Sequence, residues 1–149
     1  MGMTSAPLST LLYISHSMLY MPDDEMLVAD MLKAARARNR YLGISGALIF
    51  THRHFVQYIE GEEVALADLM ASIRRDPRHS DVRMLHFGSA ASRRFADWSM
   101  AYAGPSVFVS RQVEELLSAS TDEELEAQAE TIITMMEELG SLDHWRKVA

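Results

Sequence analysis

The sequence contains no cysteine and is short of basic residues, and these two shortages exclude several classes of protein. Because none of the 149 residues is a cysteine, the chain has no disulfide, no thiol nucleophile and no thiolate metal ligand. Lysine and arginine together number 14 against 21 aspartates and glutamates, which gives a formal net charge of −7. A surface of this sign repels the phosphates of nucleic acids and of anionic membranes. We therefore expect no direct nucleic-acid partner and no membrane partner.

Long apolar runs and targeting signals are also absent from the sequence. No apolar stretch approaches the roughly 20 residues of a membrane-spanning helix. Residues 1–8 lack the basic and apolar stretches of a secretion signal, so we interpret them as a flexible leader and expect a cytoplasmic protein. The six histidines show no metal-ligand spacing apart from His52 and His54. We expect those two to face solvent in a turn, and we predict no metal site.

Apolar residues recur with two different periods along the chain, and these periods predict five strands and four helices. Period-two alternation predicts strands over Thr10–His16, Ile44–Thr51, Phe55–Glu60, Val82–Gly88 and Ser99–Ala103. Helical spacing predicts helices over 22–38, 61–76, 110–119 and 123–139. Asn39 is expected to end the first helix, and Pro77 to stop the second.

The order of the elements, β-α-β-β-α-β followed by a fifth strand, is the ferredoxin-like pattern. We predict an α+β fold, a ferredoxin-like βαββαββ sandwich whose five-stranded mixed sheet carries two helices on one face, plus two C-terminal helices on the other. Strands one and three are expected to be central, parallel neighbours. A break at Gly104-Pro105 predicts a domain over residues 9–104 and a helical extension over residues 105–149.

Gln57 lies in the middle of the third predicted strand, on the same apolar face as Phe55 and Ile59. A primary amide left unpaired in such a place costs about 1–3 kcal/mol, so Gln57 needs a hydrogen-bond partner. The predicted topology places Tyr13 beside it, beneath the two helices. Taken alone, each residue also has an ordinary interpretation: Tyr13 as a core tyrosine, and Gln57 as an amide satisfied by backbone or water.

Seven short motifs occur in an order and spacing that are distinctive when taken together. They are Tyr13-Ile14-Ser15, Ala37-Arg38-Asn39, Gly43-Ile44-Ser45-Gly46, Phe55-Val56-Gln57, Glu60-Gly61, Asp76-Pro77-Arg78-His79, and Arg94-Phe95 with Trp98-Ser99-Met100. Together they resemble a BLUF domain, the flavin-binding sensor of blue light, over residues 9–104. The two-helix tail resembles that of the short members of the family, which carry no output enzyme on the same chain. By this resemblance we expect no enzymatic activity.

The resemblance implies an oxidised flavin held between the two core helices, FAD in most members, with FMN as the alternative. The cofactor-binding residues that it implies are Tyr13, Met31, Arg38, Asn39, Gln57, Ile73, Asp76, Arg78 and His79. Met31 and Ile73 would sandwich the ring, while Asn39 and Gln57 would meet its polar edge. Three of the set match family positions near the ribityl and phosphate end: Asp76, Arg78 and His79.

The resemblance also implies a mechanism of proton-coupled electron transfer. Blue light would draw an electron and a proton from Tyr13 to the flavin, and Gln57 would relay the proton and return rearranged, by rotation or by tautomerism. A new hydrogen bond to the flavin would shift its absorption slightly to the red. Trp98 and Met100 would compete for the place near Gln57, and the change would pass through strand five and the tail helices to a partner protein in trans.

Two other functions stay open on the sequence alone. One is a small flavoenzyme or hydrolase on the same fold, although no nucleophile, metal site or phosphate-binding glycine loop supports it. The other is a light-independent regulator that uses the fold for protein contacts. The amphipathic tail predicts a homo-oligomer of unspecified size. The sequence leaves open the downstream partner, the dark-recovery rate, and whether Trp98 or Met100 lies inside.

Overall fold

The fold is one sheet with helices on both faces, in a computed structural model that describes residues 7–20, 25–97, 100–103, 107–118 and 121–141. The strands within these residues are β1 (Leu8–Ser17), β2 (Ser45–Phe50), β3 (His54–Gly61), β4 (His79–Ala90) and β5 (Ala101–Ala103). The helices are α1 (Glu25–Leu42), α2 (Glu63–Arg75), α3 (Val107–Ser118), α4 (Asp122–Ala127) and α5 (Ala129–Ser141). The predicted α+β class and element order are confirmed.

The five strands lie in the order β4-β1-β3-β2-β5. Neighbouring strands are antiparallel except β2 and β5, which run parallel, so the predicted mixed sheet is confirmed. β1 and β3 are central neighbours as predicted, but the prediction that they run parallel is wrong. The crossover through α1 makes β2 parallel to β1, and the short turn after β2 sends β3 back between them in the opposite direction. Tyr13 nevertheless lies directly opposite Gln57.

Each face of the sheet has its own apolar core. On one face α1 and α2 pack over side chains such as Leu11 and Ile59. On the other face α3, α4 and α5 pack over side chains such as Leu12 and Tyr58. Two core helices on one face and a helical tail on the other are therefore confirmed, and β3 is buried on both sides.

The end of α1 differs from the prediction. Asn39 does not end the helix, which continues to Leu42. Gly43 supplies the end because its φ of +69° lies in the left-handed region that glycine adopts without strain. The Ile44 amide donates to the Asn39 carbonyl at 2.8 Å, which is the bond that closes such a helix end. Asn39 is therefore a residue of the last turn.

Several other element boundaries move by a few residues. β1 begins at Leu8, one residue inside the expected leader. β4 begins at His79 rather than Val82, and β5 is shorter than predicted, because it begins at Ala101 and leaves Met100 just before it. Trp98 lies outside the described residues.

The tail differs from the prediction in its number of helices. The predicted helix over residues 123–139 is two helices, α4 and α5, with Gln128 between them. Thr121 caps α4, since its side chain accepts from the Glu124 amide. His54, expected to face solvent, has a side chain only 13% exposed because its Nδ1 lies 2.8 Å from Glu114 of α3. His52 is exposed as expected.

Candidate functional site

A cleft between α1 and α2 opens above the centre of the sheet. It encloses about 530 Å³, counting the space at its open mouth. Its lining includes nine residues that the sequence analysis selected: Tyr13, Met31, Arg38, Gln57, Ile73, Asp76, Arg78, His79 and Met100. It also includes five that were not selected: Leu32, Ala34, Ala35, Leu48 and Phe55. These five were not distinguishable from ordinary core residues in the sequence.

The floor of the cleft is a hydrogen-bonded pair from the two central strands. The Tyr13 hydroxyl donates to Gln57 Oε1 at 2.5 Å, and both side chains are buried. The other end of the amide, Gln57 Nε2, donates to the Met100 sulfur at 3.4 Å. A thioether is a weak acceptor, so this second bond is the easier one to exchange. Met100, which is buried, therefore occupies the place beside Gln57 in this structure.

Burial controls the protonation of Tyr13. Removal from water raises the pKa of the Tyr13 phenol well above its usual value, and the charge of Asp76 raises it further. The positive charge of Arg38 opposes this shift but does not cancel it. At neutral pH the phenol keeps its proton, as its role of donor to Gln57 requires.

The last turns of α1 contribute Arg38 to the cleft and place Asn39 behind it. Arg38 lines the cleft, whereas Asn39 is fully buried and is not among the lining residues. The Arg38 guanidinium donates to Asn39 Oδ1 at 3.4 Å from both Nε and Nη2. Partial burial lowers the pKa of Arg38, but an arginine stays cationic at neutral pH.

The far end of the cleft is polar. The Arg78 guanidinium forms a bidentate pair with the Asp76 carboxylate, with bonds between 2.6 and 3.0 Å. These bonds lower the pKa of Asp76 and raise that of Arg78. His79 Nδ1 lies 2.7 Å from Ser15 Oγ. Burial, the largest cause, lowers the pKa of His79 to about 4, so the ring is neutral at neutral pH.

Two buried charged residues, Arg36 and Glu60, were not among the site residues predicted from the sequence. Arg36 of α1 donates from Nε to the Met100 carbonyl at 3.0 Å, and it follows Val28 and Leu32 at helical spacing. Glu60 of β3 is fully buried on the opposite face of the sheet. In each case the available signal was a charge at a position whose period places it among apolar residues.

Among the residues that the structure describes, no group of three or more histidine and acidic side chains is placed to hold a metal ion. In that part of the chain, no helix is both long and apolar enough to cross a bilayer.

Comparison with known proteins shows the family to which this chain belongs. A family model described as BLUF, sensors of blue light using FAD, matches residues 8–101. The chain belongs to the BLUF family. Flavin is the cofactor of BLUF domains, and their role is to sense blue light.

Three relatives show how the match is distributed. The photoactivated adenylate cyclase subunit beta of Euglena gracilis is 37% identical over 93 residues, which are 62% of this chain and 11% of that protein. The dark-state structure of the BLUF protein BlrB has a TM-score of 0.68 at 31% identity and covers 87% of this chain and 98% of that one. A structure of Klebsiella pneumoniae BlrP1 with FMN and cyclic diGMP has a TM-score of 0.60 at 36% identity, covering 65% and 26%. This chain thus spans about a tenth of the cyclase subunit and nearly all of BlrB.

Proposed function

We propose that this chain is a blue-light photoreceptor in which Tyr13 and Gln57 form the light-responsive pair. The observation that carries the proposal is the buried hydrogen bond of 2.5 Å between the Tyr13 hydroxyl and Gln57 Oε1, on the floor of the cleft. A second support is the weak bond from Gln57 Nε2 to the Met100 sulfur, which gives the amide one partner that it can leave at little cost.

The cleft has the chemical character that a flavin requires. A flat aromatic ring needs apolar walls and a few polar groups at its edge. Met31 of α1 and Ile73 of α2 supply apolar surface, and Gln57 supplies an amide. The polar end would receive the ribityl and phosphate part of the cofactor through three residues: Asp76, Arg78 and His79. FAD is the cofactor that we propose, with FMN as the alternative.

Asn39 would reach the polar edge of the ring only after a local change. Its amide is buried behind the cleft surface, and its Oδ1 accepts from Arg38, which does line the cleft. The Arg38 guanidinium would therefore turn away from Asn39 when the cofactor binds. The weak geometry of this contact, 3.4 Å, makes such a turn inexpensive.

When bound, the flavin supplies absorption of blue light and an acceptor for one electron and one proton. On the protein side, Tyr13 gives up both, and its proton leaves along the hydrogen bond to Gln57 Oε1. Gln57 passes a proton on and rearranges its amide, by rotation or by tautomerism, so that its donor no longer faces Met100. Once Tyr13 is again a neutral phenol, the rearranged Gln57 amide would remain as the signal.

The output would run from Met100 through β5 to the tail. Residues 9–104 would form the sensor, and residues 105–149 would form the extension that contacts a partner protein in trans and mediates self-association. The packing of α3, α4 and α5 on the face opposite the cleft supports this route for the output. Because protein interiors are close-packed, a shift of β3 or β5 would displace side chains on both faces of the sheet. Trp98 would compete with Met100 for the place beside Gln57.

Absorption spectroscopy of the purified protein tests the proposal. We expect a yellow protein whose flavin bands move slightly to the red under blue light and recover in the dark. Gln57→Leu should keep the flavin bound and remove the shift. A colourless protein that does not take up added FAD would overturn the proposal. Turnover of a substrate in the dark would instead favour a flavoenzyme, and an unchanged spectrum with light-independent partner binding would favour a contact module.

A further inference from the structure

Arg36 is a buried arginine that holds the main chain of Met100. Its side chain leaves α1 and donates from Nε to the Met100 carbonyl at 3.0 Å. The residue is 6% exposed, so the bond lies away from water, where a charged donor is strongest. Arg36 is not part of the cleft lining.

Met100 is consequently held at two different atoms by two different parts of the fold. Its carbonyl accepts from Arg36 of α1, and its sulfur accepts from Gln57 of β3. The first bond is charge-assisted and the second is a weak bond to a thioether. If Gln57 rearranges, the weak bond is the one that breaks.

We propose that Arg36 is a positioning residue that fixes the backbone of Met100 so that only its side chain responds to Gln57. The inference rests on the function proposed above and adds to it a specific role for α1. With the carbonyl anchored, loss of the bond to Gln57 frees the Met100 sulfur while the start of β5 keeps its place. Without Arg36, the sulfur no longer has a defined position to return to, and the dark arrangement becomes less stable.

The first test needs no light. Methyl-labelled methionine gives one NMR signal for each methionine side chain, and Met100→Leu identifies the signal of Met100 by removing it. In the dark-adapted holoprotein, we expect Arg36→Gln to move or broaden that signal. Arg36→Lys, which keeps a cationic donor, should have a smaller effect and serves if Arg36→Gln does not fold. An unchanged Met100 signal in both variants would overturn the inference.

The second test is a double-mutant cycle on the dark recovery of the red-shifted form. Arg36→Gln should slow recovery by about tenfold, the effect on a rate of one charge-assisted hydrogen bond at the low end of its usual range. In a Met100→Leu background, which lacks the sulfur, the same substitution should change recovery little. An equal change in both backgrounds would show that Arg36 acts independently of Met100 and would overturn the inference.

Arg74 offers a matched control. It is an arginine of the other core helix, and its Nη1 donates to the Val82 carbonyl at 3.2 Å on the exposed edge of the sheet. Arg74→Gln should leave the Met100 signal and the recovery rate unchanged. If the unmodified protein showed no red shift at all, the proposed function would fail, while the dark NMR comparison would still decide the role of Arg36.

Discussion

Gln57 and Glu60 lie three residues apart on β3, face opposite sides of the sheet, and are bound in opposite ways. Gln57 has one short bond from Tyr13 and one weak bond to the Met100 sulfur, on the floor of an open cleft. The Glu60 carboxylate is fully buried and accepts four hydrogen bonds, from Ser45 Oγ at 2.8 Å, the Tyr58 hydroxyl at 3.2 Å, and the amides of Arg94 at 2.9 Å and Phe95 at 2.8 Å. One polar group is thus free to exchange partners, and the other fixes the segment that leads towards β5.

Removal of the Glu60 carboxylate should have the largest effect on stability. Glu60→Ala leaves three buried donors and the partly buried Arg94 amide without their acceptor, and we expect a loss of roughly 3–5 kcal/mol in the free energy of unfolding. Urea denaturation measures the change. Glu62→Ala, an exposed acid two residues along, should stay within about 0.5 kcal/mol and serves as the control. A loss below about 1 kcal/mol for Glu60→Ala would mean that the opposite face does not depend on this carboxylate.

Acidification should lower the free energy of unfolding through His79, which lines the cleft. Its pKa in the folded protein is about 4, below the usual 6.5, so between these values the unfolded chain binds a proton that the folded chain does not. Stability from this group is complete above pH 6.5 and is lost as the pH falls towards 4. At pH 5 the loss relative to pH 7 should be about 2 kcal/mol.

The variant His79→Asn isolates this contribution. Its free energy of unfolding should fall less than that of the unmodified protein between pH 7 and pH 5. His52→Asn, at an exposed histidine, should keep the original pH dependence. Equal pH dependence in His79→Asn and the unmodified protein would exclude His79 as its source.

Two tyrosines allow the two faces to be compared directly. Tyr13→Phe removes the hydroxyl that donates to Gln57 Oε1, and Tyr58→Phe removes one of the four donors to Glu60. Each should lower the free energy of unfolding by about 1 kcal/mol, the net value of one buried hydrogen bond.

The two variants should differ in their response to light: only Tyr13→Phe should abolish the red shift under blue light. If Tyr13→Phe responds to light as Tyr58→Phe does, Tyr13 is not the donor.

The smallest effect on stability is expected at Arg78. Its side chain is 41% exposed, so Arg78→Ala should cost less than about 1 kcal/mol despite the bidentate pair with Asp76. If the polar end of the cleft receives phosphate, the same variant should weaken binding of FAD more than binding of riboflavin. Isothermal titration with both ligands measures this difference. Equal losses for the two ligands would place the phosphates elsewhere.

The sequence predicted the Tyr13–Gln57 pair correctly, although the predicted parallel direction of β1 and β3 was wrong. Tyr13 faces Gln57 because β1 and β3 are neighbours whose buried faces are fixed by alternation, and this holds whichever way the strands run. Met31 and Ile73, which the family resemblance placed beside the ring, lie on α1 and α2 and line the cleft. The face on which a side chain lies is therefore predicted well when it depends only on the periodicity of its own strand or helix.

The sequence failed where the outcome depends on a contact between distant segments. Asn39 resembles a helix end, but Gly43 makes that end because its left-handed φ is available there. The periods of α1 and β3 place Arg36 and Glu60 among apolar residues, but their partners are main-chain groups far away in the sequence: the Met100 carbonyl for Arg36, and the Arg94 and Phe95 amides for Glu60. No local pattern could show that these two side chains have buried partners.

Infrared difference spectroscopy on the Gln57 side chain tests the central claim most directly. The sequence has three glutamines, at 57, 112 and 128, so the variant with Gln112→Glu and Gln128→Glu leaves Gln57 as the single site for δ-¹³C glutamine. We predict that the light-minus-dark spectrum contains a carbonyl band that moves on labelling, because the hydrogen bonds of Gln57 change with light. A difference spectrum from a protein that shows the red shift but has no label-sensitive band would contradict the account.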